Sequence, residues 1–245
     1  MLVNTHDHST TIASNVIDFT KYLQKAAPPK YTNQVRNIPV QPIVGDDIQK
    51  VKDYILNRPQ RYTTLDFNLR DYTIFLFGIN VGLRIGDLLH LKIKDVLSNG
   101  KIVDYIAIQE QKTRNTNCAR ELPLVPGVQI ALANYINSME GYNPDWYLFH
   151  AVWPTRTPYT SMTRQNIWHK MKSLEKELDS KVPFGTHSLR KTFARALYDH
   201  LIQVDPTALS LVQNILGHKS SDITLKYIGI TRERNYDARL SVGTI

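Results

Sequence analysis

The sequence predicts a mainly α-helical domain with a small antiparallel β-sheet, which is an α+β fold. Apolar residues recur at helical spacing in most segments, whereas residues 101–125 alternate Ile and Val around a polar turn. Hydrophobic residues make up 42% and charged residues 21% of the 245 residues, as in ordinary globular proteins. The chain is therefore expected to fold around a helical core.

Residues 1–40 have a different pattern from the rest of the chain. Four apolar residues at helical spacing predict one amphipathic helix at about 9–25: Ile12, Val16, Phe19 and Leu23. The proline-rich stretch AAPPKYTNQVRNIPVQP follows and indicates an extended linker. Because one short helix and a linker bury little core, we predict an arm at 1–40, a main domain at 41–235 and a tail at 236–245.

The first half of the main domain should contain three helices. Asp46 or Asp47 can cap a helix that ends before Pro59, and a helix at about 66–81 is apolar on most faces and should be central. A turn at Gly82 then leads into a short third helix.

The second half begins with the convincing β region of the sequence. We expect a hairpin or a small three-stranded sheet at 101–125, a helix at 127–138 and a surface loop at 141–163. Candidate capping residues predict four more helices: Thr163, Thr186, Asp205, and Ser221 or Asp222 ahead of ITLKYIGI.

Composition argues against several classes of protein. No apolar run approaches the roughly 18 residues of a membrane helix, and the N-terminal residues lack the pattern of a signal peptide. A single cysteine, Cys118, excludes an internal disulfide and a multi-cysteine zinc site. We therefore expect a reducing compartment, the cytoplasm.

The charge balance suits a polyanionic partner. Thirty Lys and Arg residues against 22 Asp and Glu residues give a formal net charge of +8, with a pI near 9.4. Many basic proteins bind no nucleic acid, so the charge alone leaves the partner open.

Three segments carry residues suited to phosphate chemistry: GLRIGDLL, THSLRKTF and LGHKSSDITLKY. His187 and Arg190 lie one turn apart near a helix N-terminus, and Arg84 lies in an apolar neighbourhood, where a cation needs an anion or carbonyls. His218 follows a glycine at a helix end, nine residues before Tyr227. These five side chains could converge on a phosphodiester, because arginine binds its oxygens in a bidentate manner and tyrosine supplies a nucleophile.

Each of these residues also has a purely structural explanation. Arg84 could bond loop carbonyls, and His187 could bond the backbone at its helix N-terminus. His218 could cap a helix end, and Tyr227, one of 13 tyrosines, could belong to the core. Taken one at a time, these structural explanations are favoured. The ordered combination favours chemistry.

That combination resembles the catalytic domain of the tyrosine recombinases, also called the phage integrase family. GLRIGDLLHLKIKDV resembles the first arginine motif of the family, with Asp87 three positions after the arginine. HSLRKTFA resembles its H-x-x-R motif, and LGHKSSDITLKYI resembles its L-G-H motif with the usual step from His218 to Tyr227. The resemblance covers about residues 40–235 and implies a tyrosine-recombinase-like fold for the domain at 41–235.

The resemblance assigns the central chemistry to three residues. Arg84 and Arg190 would hold the scissile phosphate and stabilise its pentacovalent transition state. Tyr227 would attack that phosphate and leave a 3′-phosphotyrosyl bond with a free 5′-hydroxyl. The phosphotyrosyl bond conserves energy, so the strands can rejoin without ATP, and the family implies neither a metal nor another cofactor.

Four further residues receive supporting roles from the resemblance. Lys112 in QKTRN would protonate the leaving 5′ oxygen, and His187 would help to move the proton of the tyrosine. His218 would donate a hydrogen bond to a nonbridging oxygen, and Asp87 would support the site without reacting. Lys112 has alternatives, because Lys101, Arg114 and Arg120 lie nearby in the sequence and because a lysine in a polar turn can simply be solvated.

The resemblance also implies partners. We expect double-stranded DNA and a homotetramer on that DNA, in the service of integration or excision of a mobile element. About 40 residues precede the main domain, too few for the helical DNA-clamping domain usual in the family. Three alternatives stay open: the arm does part of this work, an accessory DNA-binding protein supplies it, or the chain is naturally minimal. In the tail, Leu240, Val242 and Ile245 could anchor to a neighbouring subunit or belong to a frayed terminus.

Two alternative functions remain open from the sequence. A type IB topoisomerase shares the tyrosine chemistry, although such enzymes are usually larger. A DNA-binding protein with an idle site is the second alternative, but all six expected catalytic positions are filled here.

Overall fold

The computed structural model describes residues 39–59, 67–109, 119–151, 160–230 and 240–241. Several sequence predictions fall outside these ranges: the helix at 9–25 with most of the arm, Lys112 in its polar turn, and the tail residues Val242 and Ile245. In the described part of the chain, no helix has the length and apolar character needed to cross a membrane.

The described residues form a mostly helical fold with two small antiparallel sheets, which confirms the predicted α+β class. The helices are α1 (Asp47–Asn57), α2 (Phe67–Val81), α3 (Ile85–Leu89), α4 (Ile93–Val96), α5 (Pro126–Asn137), α6 (Arg164–Glu177), α7 (Ser188–Leu201), α8 (Ala208–Leu216) and α9 (Ser221–Tyr227). The strands are β1 (Leu97–Ser98), β2 (Lys101–Ile102), β3 (Tyr105–Ile108) and β4 (Arg120–Pro123).

Helix α2 is the central helix, as its apolar sequence predicts. It packs against α1, α5 and α7, and Phe77 in its middle is fully buried. Gly78 permits the close approach of α7, because a Cβ atom at this position would lie 2.8 Å from the Cβ of Leu189. The close packing of α7 on α2 fixes the helix that carries Arg190.

The β region differs from the predicted single hairpin or three-stranded sheet at 101–125. β2 pairs with β1, and β3 pairs with β4 in a register that places Ile108 opposite Arg120. The cause is a two-residue Asn-Gly turn, in which Asn99 has φ 51° and Gly100 has φ 73°. Positive φ at both central residues matches the twist of a tight hairpin, so the chain folds back one strand earlier than predicted.

Of the three caps predicted for α6, α7 and α8, the first is confirmed and the other two are wrong. Thr163 caps α6 by accepting the backbone N–H of Asn166. Thr186 does not cap α7, because His187 occupies the N-cap position and the helix begins one residue later than predicted. Asp205 accepts the backbone N–H of Thr207, and the latter is the N-cap of α8.

Helix α9 is shorter than the predicted ITLKYIGI helix. Its N-cap is Ser220, whose hydroxyl accepts the backbone N–H of Ile223, rather than Ser221 or Asp222. The helix ends at Tyr227. Gly229 has φ +72°, a left-handed conformation that favours glycine and stops the helix. Tyr227 is therefore the last helical residue.

The apolar interior consists of a large cluster and a small one. The large cluster joins α1 to α7 and the segments between them. The small cluster joins α7, α8 and the residue after α9 through Ala194, Val212, Leu216 and Ile228. Helix α9 is thus held mainly by a limited set of apolar contacts, which is typical of elements that open at low free-energy cost.

Acid should destabilise the fold partly through His150. The side chain is 4% exposed, and burial, assisted by the charge of Arg70, lowers its pKa to about 4. Between this pKa and the ordinary value of 6.5, His150 binds a proton in the unfolded state but not in the folded state. The contribution of His150 to the free energy of unfolding is therefore fully present above about pH 6.5 and is lost as the pH falls toward 4. We expect the free energy of unfolding of His150→Phe to fall by roughly 2–3 kcal/mol less than that of the wild type over this pH interval, as measured by urea unfolding at several pH values. Parallel pH curves for the two proteins would contradict this expectation.

Candidate active site

Arg190 is a buried cation that links the ends of two helices. It is 5% exposed, and its Nη1 donates to the Gly82 carbonyl at 2.5 Å while its Nη2 donates to the Leu216 carbonyl at 2.9 Å. These carbonyls lie at the C-terminal ends of α2 and α8, where helix dipoles concentrate negative potential. Burial lowers the pKa of Arg190 to about 10, so the guanidinium stays charged at neutral pH.

Arg84 reaches the same place from the turn after α2. Gly82 has φ +71°, and a Cβ atom there would lie 2.1 Å from Cδ1 of Phe193, so both backbone conformation and space require glycine. Arg84 follows as the N-cap of α3, between the buried residues Leu83 and Ile85. Its positive charge helps to lower the pKa of Arg190, which locates the two arginine side chains near each other.

Tyr227 lies beside both arginines. Burial raises the pKa of its phenol, whereas the charges of Arg190 and Arg84 and a hydrogen bond with Arg190 lower it. The phenol is therefore protonated at neutral pH, and two cations are already in position to favour its deprotonated form. The structure brings together the three residues to which the sequence assigned the central chemistry.

His218 contacts the tyrosine directly. The two ring centroids are 4.8 Å apart, with the planes at 72°. Nδ1 of His218 lies 3.1 Å from the Oγ1 of Thr224. Gly217 ends α8 with φ +65°, and this left-handed residue turns the chain so that the histidine lies between α8 and α9.

His187 is exposed at the N-cap of α7 and surrounded by cations. Desolvation by the surrounding protein, followed by the charges of Arg190, Lys191, Arg164 and Arg84, lowers the pKa of its imidazole. A neutral imidazole at pH 7 can accept a proton.

Asp87 is the acidic group near these cations. It is 5% exposed within α3, and its negative charge raises the pKa of Arg190. Across the described residues, no group of three or more His, Cys, Asp or Glu side chains could hold a metal ion.

Three further cations lie near the site; Arg164 and Lys191 were not predicted, and Arg120 was named only as an alternative to Lys112. Arg164, the first residue of α6, contacts α3, since a Cβ at Gly86 would lie 2.6 Å from its Nη2. Arg120 on β4 lowers the pKa of Arg190 by its charge, and both line a cavity of about 350 Å³. Lys191 lies over the Tyr227 ring, with Nζ 5.2 Å from the centroid. In the sequence, Lys191 is marked by its position next to Arg190 and Arg120 by its proximity to Lys112, whereas Arg164 has no such signal.

Lys112 lies outside the described residues, but the two strands that flank its segment, β3 and β4, are described. It belongs to the segment between β3 and β4, and the start of β4 carries Arg120, whose charge acts on Arg190. The alternative, Lys101, lies on β2, where it pairs with Ser98 in the other sheet.

The chain is similar to known proteins along most of its length. Residues 51–234 match the phage integrase family. The chain is 33% identical over 198 residues to the "Probable integrase/recombinase YoeC" of Bacillus subtilis (strain 168), an alignment that covers 79% of this chain and 92% of that protein. It is 27% identical over 238 residues to a "Tyrosine recombinase" of Pseudothermotoga lettingae, covering 94% of this chain and 74% of that protein.

Solved structures share the fold. XerA recombinase has a TM-score of 0.57 at 22% identity, over 85% of this chain and 67% of that chain. XerH, in its post-cleavage complex with a palindromic difH substrate, has a TM-score of 0.58 at 21% identity, over 83% of this chain and 53% of that chain. The alignment with XerH thus spans about half of that protein.

Proposed function

Because the chain belongs to the phage integrase family and is a tyrosine-type recombinase, we propose that it cleaves and rejoins double-stranded DNA through a covalent bond between Tyr227 and a 3′ phosphate. The observation that carries this proposal is the position of Tyr227, whose phenol is close enough to Arg190 and Arg84 for both charges to lower its pKa and whose ring lies 4.8 Å from that of His218. A nucleophile beside two guanidiniums has the geometry required to attack a bound phosphodiester.

The guanidinium of Arg190 has donors to spare for the phosphate. A guanidinium carries five N–H donors, and two of them are used by the carbonyls of Gly82 and Leu216. The carbonyls fix the plane of the group before DNA binds, so little reorganisation is needed when negative charge builds up on the nonbridging oxygens. Arg84 supplies the second cation, and His218 donates a hydrogen bond to a nonbridging oxygen.

Proton transfers balance the reaction. The Tyr227 oxygen bonds to phosphorus as its proton passes to the neutral imidazole of His187, and the bond from phosphorus to the 5′ oxygen breaks as Lys112 gives that oxygen a proton. Rejoining is the reverse, with a 5′-hydroxyl as the nucleophile. Asp87 holds the charge balance of the arginines without reacting.

Double-stranded DNA is the substrate that suits the charge of the chain. The net charge of +8 and the exposed Arg164 near the site support contacts with DNA phosphates. Such binding should weaken steeply as salt concentration rises.

We propose that the reaction serves integration or excision of a mobile element; the relative YoeC carries the name probable integrase/recombinase. A tetramer on DNA, an accessory DNA-binding protein and a location with the DNA in the cytoplasm remain predictions from the family likeness.

Capture of the covalent adduct tests this function. The full chain is incubated with sheared DNA of its source genome, quenched in detergent, and the DNA that stays attached is sequenced. A duplex of the recovered site, nicked to prevent rejoining, is then used with the wild-type protein and with Tyr227→Phe. We expect an adduct for the wild type alone, with mass spectrometry locating the nucleotide on the peptide of Tyr227.

Other outcomes would overturn the proposal. Retarded DNA without an adduct in the wild type would indicate a DNA-binding protein with an idle site. Relaxation of supercoiled plasmid without recombinant products would indicate a topoisomerase.

For Lys112, we expect Lys112→Met to lose cleavage of the normal duplex and to recover it when sulfur replaces the leaving 5′ oxygen, because a thiolate leaves without an acid.

A further inference from the structure

Lys191 is a buried ammonium next to the nucleophile. It is 6% exposed, and its Nζ lies 5.2 Å from the centroid of the Tyr227 ring, on the face of that ring. Its side chain also donates to the Val40 carbonyl at 2.7 Å. Among the described residues, no carboxylate forms an ion pair with it, and desolvation alone lowers its pKa.

A buried lysine of this kind is costly unless it has a function. Removing an ammonium from water is unfavourable, and a carbonyl with an aromatic face compensates less than a carboxylate would. Proteins keep such groups mainly at sites where a charge acts on a reaction. The face of the nucleophilic ring is the place where this charge acts.

The carbonyl partner belongs to a segment that also contacts the turn after the nucleophile. We name residues 39–43 the entry strap. Its backbone is fixed on α7, since the N–H of Ile43 donates to Oγ1 of Thr192 at 2.8 Å. The strap also packs against Gly229, where a Cβ atom would lie 3.2 Å from Cδ of Pro42. Lys191 therefore joins the strap, α7 and the end of α9.

We propose that Lys191 is a positioning residue that ties the ring of Tyr227 to the entry strap and favours the phenolate during attack on the phosphate. This inference rests on the proposed function, because it assigns a role to Lys191 in activation of the same nucleophile. When the phenol loses its proton, negative charge spreads into the ring, and the ammonium over the ring face stabilises that charge.

Two arginines, a lysine and a histidine face the tyrosine. The charges of Arg190 on α7 and Arg84 at the start of α3 lower the pKa of the phenol, and Nζ of Lys191 lies over the face of the ring. His218 contacts the ring from the loop between α8 and α9. Lys191 differs from the two arginines because it acts on the ring face rather than on the oxygen and leaves their donors free for DNA.

A measurement without DNA tests the effect on the nucleophile. A 3,5-difluorotyrosine is placed at position 227, since fluorine lowers the phenol pKa into a range where the protein stays folded and gives a 19F signal for this residue alone. We expect Lys191→Met to raise the pKa of that phenol by about one unit, with Lys191→Gln made in parallel in case one variant fails to fold. Lys191→Arg should keep most of the wild-type value.

Lys226→Met is the matched control. This exposed lysine precedes Tyr227 in the sequence, so its removal makes the same change in net charge near the nucleophile without touching the ring face. A shift in Lys191→Met no larger than that in Lys226→Met would overturn the proposal.

Cleavage of the nicked duplex gives the second readout. Lys191→Met should slow adduct formation about tenfold at neutral pH, with the difference shrinking as the pH rises, because the phenolate then forms without help. Lys191→Arg should restore the rate. An equal rate in Lys191→Met, with a wild type that forms the adduct, would overturn the inference and leave the proposed function intact. A wild type that forms no adduct would overturn the proposed function instead.

Discussion

Replacement of Arg190 by lysine is expected to slow adduct formation by about a hundred- to a thousandfold, although the positive charge is kept. The guanidinium bonds Gly82 through Nη1 and Leu216 through Nη2 and still faces the phenol of Tyr227. An ammonium is a single point with three donors, so it cannot span the two carbonyls and also present a planar pair of donors to a phosphate.

The rate of adduct formation on the nicked duplex measures this effect. Arg195→Lys is the matched control, because Arg195 lies on the same helix, with its Nε 2.6 Å from Oδ2 of Asp199, and has no part in the proposed chemistry. Thermal unfolding of both variants separates a loss of fold from a loss of chemistry. A folded Arg190→Lys protein with a rate within threefold of the wild type would contradict the role given to Arg190.

The expected reacting residues could be found from sequence because each motif is local and carries its own geometric signal. A glycine turn before Arg84, a helix start before Arg190 and the nine-residue step to Tyr227 can be read without knowing what packs where. Whether these motifs meet in space depends on long-range packing, as the hydrogen bond from Arg190 to the Gly82 carbonyl illustrates. Their convergence on one site was predicted only through the resemblance to the family.

The roles of the surrounding cations could not be predicted, because these roles depend on tertiary contacts. Arg164 reaches the site only because Gly86 leaves space for its guanidinium. Arg120 does so through the pairing of β4 with β3. From the sequence alone, Lys191 would be expected on the surface of α7. It is buried because the entry strap covers it and accepts its hydrogen bond.

Local errors in the predicted fold have local causes. The Asn99–Gly100 pair is a hairpin signal that outweighs the alternating pattern of the following residues. The predicted C-terminal end of α9 lies too far along the chain, because apolar residues continue past Tyr227. The left-handed backbone of Gly229 ends the helix instead.

Asp71→Asn is expected to lower the free energy of unfolding by about 3–5 kcal/mol. Asp71 is 5% exposed and is surrounded by three cations from three parts of the fold. It accepts from Arg58 after α1, from Nε and Nη2 of Arg70 at 3.1 and 3.0 Å, and from Nζ of Lys170 on α6 at 2.5 Å. Burial acts to raise the pKa of Asp71, but the charges of Arg70, Lys170 and Arg58 hold it below its ordinary value.

An amide in place of this carboxylate leaves three cations close together without an anion. Arg70 cannot turn toward water, because it is 1% exposed and its Nη1 donates to the His150 carbonyl at 3.0 Å. The loss should be visible in urea unfolding as a lower midpoint with an unchanged slope. As the matched control, Asp145→Asn removes the exposed partner of Lys94 and should change stability little.

A second substitution, Lys170→Met, distinguishes the loss of charge pairing from the loss of packing, because its effect on the free energy of unfolding should change sign between two backgrounds. Lys170→Met should destabilise the wild type, because it removes a partner of the buried Asp71 carboxylate. In the Asp71→Asn background the same change should stabilise the protein, since it removes a half-buried cation that has lost its anion. If Lys170→Met destabilised both backgrounds equally, the cluster would act through packing of its side chains rather than through charge.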